Sequence, residues 1–289
     1  MPLFVWCSGY LFAYTNQTGR KSCKEYLSQR SLRLLVPYFV FSLIGLIPKI
    51  VASPVLNDTL ELDAVQLIRA FFVPREGVWG HFWFLPMIYF IGILGFVIDK
   101  LCLKSSKVWI VITITALVVS IYKADFLQWF SINDVLHFFP YYCLGVLTCY
   151  IKLDFLIGSH LKTNFFVGLV TGLVLYSFFE EVGLIGFARN TAIAICMILS
   201  IVSLCKSISN RLYIDRNAKL AQTYQIFIIS WPCQLVAGIL LERILHVNWL
   251  LFWILVFATG VIVPLILLRI KDIIEKKYNT KILSFILGQ

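Results

Sequence analysis

The sequence predicts an all-α protein, a polytopic transmembrane helix bundle, and three observations lead there. Only 14% of its 289 residues are charged and 60% are hydrophobic, whereas a soluble domain carries about 25% charged and about 45–50% apolar residues. So little charge cannot cover a water-facing surface of this size. The second observation is a series of nine apolar runs, each near the length of about 17–25 residues that a spanning helix needs. The third is an alternation of charge between them. Segments 15–33, 99–107, 152–164, 205–219 and 269–289 carry net +4, +2, +1, +3 and +3, and the segments between them are neutral or negative.

The nine runs, in order, are Met1–Tyr14, Leu34–Val55, Phe82–Ile98, Val108–Tyr122, Val135–Ile151, Phe165–Phe179, Phe187–Leu204, Leu220–Leu241 and Asn248–Leu268. The shorter ones fit a bilayer by partner tilting and by snorkelling of flanking side chains. Basic segments stay in the cytoplasm, which puts the C-terminus inside and Met1 at the outer face. A preceding helix running outward would make ten spans with both ends inside. Residues 56–81 form a longer external segment. Its apolar residues Leu60, Leu67, Ile68, Phe71 and Phe72 predict a short interfacial helix ending near Pro74. The tail 269–289 mixes Lys with Ile, Leu and Phe and is expected on the inner surface beside anionic membrane lipid. Residues 1–289 read as one transmembrane domain, without internal repeats. That argues against a transporter built from inverted repeats.

Composition excludes several classes. The net charge of +10 sits in short loops between apolar runs, where it sets orientation, so no nucleic-acid partner is expected. The eight cysteines show no CxxC or Cys/His spacing, so no metal or haem site is expected and the thiols act as small hydrophobes. The sequons at Asn16 and Asn57 carry no meaning outside a eukaryotic lumen.

Four stretches hold chemistry-bearing side chains. In "YLSQRSLRLLVPYFVF", Arg30 and Arg33 stand three apart and share a helix face, with Pro37 tolerable near a first turn. Two guanidinium forks make a phosphate clamp; ordinary positive-inside residues would look the same. In "GVWGHFWFLPMIYF", His81 lies between Trp79 and Trp83, as an interfacial belt residue or as a base titrating near neutrality. The other histidines are His137 and His246, near the outer face, and His160, inside. In "AQTYQIFIISWPCQ", Pro232 frees a backbone carbonyl. Ser230 and Gln234 can satisfy such groups, meet a polar substrate or bond between helices. Glu180 and Glu181 are adjacent at an external helix end and point about 100° apart, which favours a solvated loop over paired acid/base work.

Together these stretches resemble the bacterial type-three membrane acyltransferase family (acyltransferase 3), whose members O-acylate surface sugars. "MPLFVWCSGYLF" is similar to the family's second helix, "RSLRLLVPYFVF" to its RxxRLxxPY stretch and "HFWFLPMIYF" to its H-x-WFLxxL stretch. "LHFFPYYCLGVL" and "TYQIFIISWP" resemble two later elements, the latter with Ser230 where His is more usual. The resemblance implies ten helices, acyl-CoA (acetyl-CoA) as co-substrate with no bound cofactor, and a surface polysaccharide or lipid-linked glycan as acceptor. It implies acyl-CoA handling by Arg30 and Arg33 and site lining by Trp83, Tyr224 and Ser230. In the family a first helix precedes MPLF and carries a general-base His. The resemblance therefore implies a chain lacking that helix, with the catalytic residue unknown and His81 the candidate. The implied location is the bacterial cytoplasmic membrane, multi-pass, with a cytoplasmic C-terminus. A non-enzymatic transporter of acyl groups or glycan, or an inactive remnant, is the alternative.

Overall fold

A computed structural model describes residues 1–52, 64–77, 80–101, 105–121, 125–152, 161–178, 183–209, 223–244 and 248–287. Every regular element among them is helical. The chain divides into two compact units, Met1–Tyr213 and Ile214–Gln289.

The first unit opens with α1 (Pro2–Tyr14), whose Pro2 needs no backbone donor at a helix start. Thr15 and a left-handed Asn16 turn the chain into the single-turn α2 (Gln17–Arg20). Ser22 then caps α3 (Cys23–Arg30) by accepting from the Glu25 amide at 3.2 Å, within the S-x-x-E pattern of a capping box. No break follows: a π turn over Ser31–Leu35 leads directly into α4 (Val36–Ala52). The helix therefore starts at Cys23 rather than near the predicted Leu34. The wide turn falls just before Pro37, whose ring would press on the carbonyl of Arg33 in a regular α-helix.

After α5 (Ala64–Phe72), the predicted interfacial helix, a 3-10 turn (Gly80–Trp83) opens α6 (Phe84–Leu101). Tyr38 on α4 donates to the Phe71 carbonyl at 2.7 Å and so ties α5 to the bundle. The unit continues with α7 (Ser106–Val119), α8 (Ile132–Tyr150), α9 (Leu161–Phe178) and α10 (Leu184–Ser209). α1 packs along α8, and α9 pairs with α10. α6 is the enclosed centre: Phe82, Leu85, Met87 and Ile91 on its run are fully buried. α1 and α8 approach closely because each presents a glycine to the other's backbone. A Cβ on Gly9 would collide with the Tyr142 carbonyl, and one on Gly145 with the Trp6 carbonyl. Small residues at such crossings are how helices pack where no hydrophobic force draws them together.

The second unit pairs α11 (Thr223–Ile239) with α12 (Trp249–Tyr278). Gln234 lies against Gly260, where a Cβ would collide with its amide. α12 runs on past Leu268, so much of the expected surface tail continues the helix. Asn279, in the left-handed region, then turns the chain into α13 (Ile282–Ile286). Glu275 holds that turn closed by accepting from the Ser284 amide and hydroxyl at 2.6 and 2.7 Å.

Each of the nine predicted runs falls on a helix. By length and apolar composition, four of the described helices can cross a membrane by themselves: Gly80–Leu101, Leu184–Ile208, Tyr224–Glu242 and Trp249–Tyr278. The last three leave most of their surface unburied, as lipid-facing helices do, whereas over half of the first is enclosed. This is a membrane protein.

Candidate functional site

The site forms where α3 lies antiparallel along α6. Thr18 meets Asp99, Tyr26 meets Gly92 and Arg30 meets Ile88, so numbers rise on one segment as they fall on the other, and Ser31 beside Arg30 meets Tyr89. Arg30 is thereby carried to a level near the middle of the 22-residue run Gly80–Leu101. Its Nη2 donates to the Ile88 carbonyl at 2.6 Å and its Nη1 to the Tyr26 hydroxyl at 2.8 Å. The Tyr26 hydroxyl in turn donates to the Gly92 carbonyl at 3.2 Å.

Gly92 makes this placement possible, since a Cβ there would fall on the guanidinium of Arg30. One turn on, Gly95 gives the same room to the Tyr142 ring. Tyr26 stacks on Phe96 with centroids 4.3 Å apart, and Phe12 closes the side at 6.2 Å from Tyr26. Arg30 Nε is buried without a hydrogen-bond partner among the described residues. Arg30 is half-buried overall, and an ionisable group held against an apolar helix is costly enough to make this a candidate site.

Arg33 is exposed, in the π turn that follows. The wide turn separates the pair more than the three-residue spacing predicts. Arg30 is committed to α6, while Arg33 faces outward. His81 and Trp83 stand at the other end of the α6 run, in the 3-10 turn. His81 is seven residues from Ile88, about 10 Å along a helix axis. Its ring lies 4.4 Å from that of Phe82. Trp83 receives the Arg75 guanidinium at 4.3 Å and lies 5.6 Å from Phe138. Arg75 is held there by Asp134, with Nε donating to Oδ2 at 3.0 Å. Trp79, His160, Glu180, Glu181 and His246 lie outside the described residues.

Tyr224 and Ser230 belong to the second unit, on α11. Ser230 Oγ donates to the Phe227 carbonyl at 3.0 Å within its own helix, two residues before Pro232. Ser230→Ala is therefore expected to change thermal stability by no more than about 0.5 kcal/mol, the range of substitutions away from packed or networked sites. A larger fall in melting temperature would show that the hydroxyl holds something besides its own helix.

Sequence reasoning missed Tyr26, Gly92, Gly95, Tyr142 and Asp99. The signal present was "GILG" inside an apolar run followed by an acid, a small-residue stripe of the kind helices pack against. Among the described residues no group of three or more His, Cys, Asp or Glu is placed to hold a metal ion.

An apolar helix bundle with a half-buried basic side chain against its central helix defines a membrane protein with a polar site. The comparison with known families makes the class specific: the model of an acyltransferase domain, acyltransferase 3, matches residues 1–269. The chain belongs to the acyltransferase 3 family. No curated protein and no solved structure matches it.

Proposed function

We propose that the protein is an O-acyltransferase of the bacterial cytoplasmic membrane, with its C-terminus cytoplasmic. It moves an acetyl group from acetyl-CoA to a hydroxyl of a surface polysaccharide or lipid-linked glycan. The observation that carries this reading is Arg30, a half-buried guanidinium held on α6 with its Nε still available to an oxygen acceptor. Coenzyme A offers phosphate and carbonyl oxygens, which guanidinium groups bind well. Exposed Arg33 on the next turn adds a second cation for the phosphates.

In the reaction the acceptor oxygen forms an ester bond to the acyl carbon as the C–S bond of the thioester breaks. The hydroxyl proton passes to a base and finally to the departing thiolate, giving free coenzyme A. His81, at the opposite end of α6 from Asp99, is the candidate base. Trp83 is proposed to line the route of the acceptor.

The test is Arg33→Ala, which removes an exposed guanidinium. Titration of the detergent-purified protein with acetyl-CoA is expected to show a dissociation constant raised about tenfold, as loss of about 1.4 kcal/mol requires. An unchanged affinity would remove Arg33 from the donor site.

A further inference from the structure

We infer that Asp99 is a positioning residue for Arg30, acting through the seating of segment Thr18–Arg30 along one face of α6. This rests on the donor-site reading of Arg30. Asp99 is 2% exposed at the C-terminal end of α6. Its described partners are three neutral donors from three other elements. Thr18 Oγ1 on α2 donates to Oδ2 at 2.6 Å, Trp109 Nε1 on α7 to Oδ1 at 3.1 Å, and Tyr150 Oη on α8 to Oδ1 at 2.6 Å.

Ile88, Gly92, Gly95 and Asp99 follow one another at spacings of four, three and four, so they form a single stripe on α6. Arg30 uses the first two positions, Tyr142 covers the third and Thr18 ends on the fourth. The stripe spans eleven residues, about 16 Å of helix. The segment Thr18–Arg30 runs beside it in the opposite sense and is bonded at both ends. The Arg30 end meets α6 through the Ile88 and Gly92 carbonyls and the Tyr89 hydroxyl, and the Thr18 end through the Asp99 carboxylate. The bond to Asp99 fixes the start of the segment and with it the register of Tyr26 and Arg30 on the two glycines. Tyr150 and Trp109 both donate to the other carboxyl oxygen, Oδ1, so the bond from Thr18 to Oδ2 does not depend on the Tyr150 hydroxyl alone.

Two variants separate positioning from general stability. Thr18→Val and Tyr150→Phe each remove one hydroxyl donor to Asp99 and little else, but only Thr18 belongs to the seated segment. Hydrogen–deuterium exchange of residues 23–33 and titration with acetyl-CoA are measured on the full chain in detergent. For Thr18→Val, exchange is expected to accelerate about fivefold, the equivalent of one hydrogen bond, and the acetyl-CoA dissociation constant to rise by a similar factor. For Tyr150→Phe both are expected to stay at the wild-type level. Equal effects from the two variants, or no change in exchange for Thr18→Val, would overturn the inference. Faster exchange with unchanged affinity would also overturn it if Arg33→Ala does weaken acetyl-CoA binding. If neither Thr18→Val nor Arg33→Ala alters affinity, the donor-site reading is what fails, and faster exchange in Thr18→Val upholds the seating.

Discussion

Arg30→Ala is expected to lower acetyl-CoA affinity by about 100-fold or more. The guanidinium contributes hydrogen bonds to charged groups worth about 1.5–3 kcal/mol each, and about 2.7 kcal/mol already equals a factor of 100. The same substitution removes the bonds to Ile88 and Tyr26, so its effect on binding has to be separated from an effect on packing. Gly92→Ala does this from the other side. The added methyl group occupies the place of the Arg30 guanidinium and displaces it without touching its charge. Gly92→Ala alone is expected to lose affinity nearly as severely as Arg30→Ala. In the Arg30→Ala background it is expected to add almost nothing, because the two changes act on one contact. Additive losses in the double variant would show that the two residues act independently and would remove Arg30 from its position on α6.

The second large effect falls on stability. Gly9→Val and Gly145→Val are each expected to lower stability by about 3 kcal/mol or more, at the upper end of overpacking costs. The atoms in the way are backbone carbonyls, of Tyr142 and Trp6, which cannot swing aside as a flexible side chain can. The alanine variants are expected to cost about 1–3 kcal/mol. Combining them should give less than the sum, since both open the same crossing of α1 and α8. Gly238→Ala is the control: the nearest atom to its Cβ, on the Phe252 ring, is 3.9 Å away. Thermal unfolding in detergent reads the difference, and a Gly9→Ala protein as stable as Gly238→Ala would refute the close approach.

The helices themselves were legible because each is written in local apolar runs and terminal residues. Met1–Tyr14 predicted α1 within a residue, and the pattern around Leu67 to Phe72 predicted the short α5 before Pro74. The continuation of α12 past Leu268 was not, because Arg269, Lys271 and Asp272 read as the end of an apolar span. The helix goes on because Lys271 pairs with Asp272 and Glu275, and Glu275 with Ser284. The start of the second run was likewise read late. A π turn keeps a helix going without any composition of its own, and only Pro37 hinted at it.

The candidate site was legible in its ingredients rather than in their arrangement. Arg30, Arg33, His81 and Trp83 all stood out by residue type, and it was the resemblance of "RSLRLLVPY" to a family stretch that suggested an acyl donor. The sequence by itself determined that this is an all-α membrane protein of the acyltransferase 3 family, since hydropathy, helix ends and motifs are properties of short stretches. Only the tertiary structure decided that Arg30 lies on Gly92 while Arg33 stays outside, and that Asp99 collects donors from positions 18, 109 and 150. Those contacts depend on the register between helices distant in sequence. That register is set by which glycines leave room for which side chains, a match between two surfaces that neither helix encodes alone.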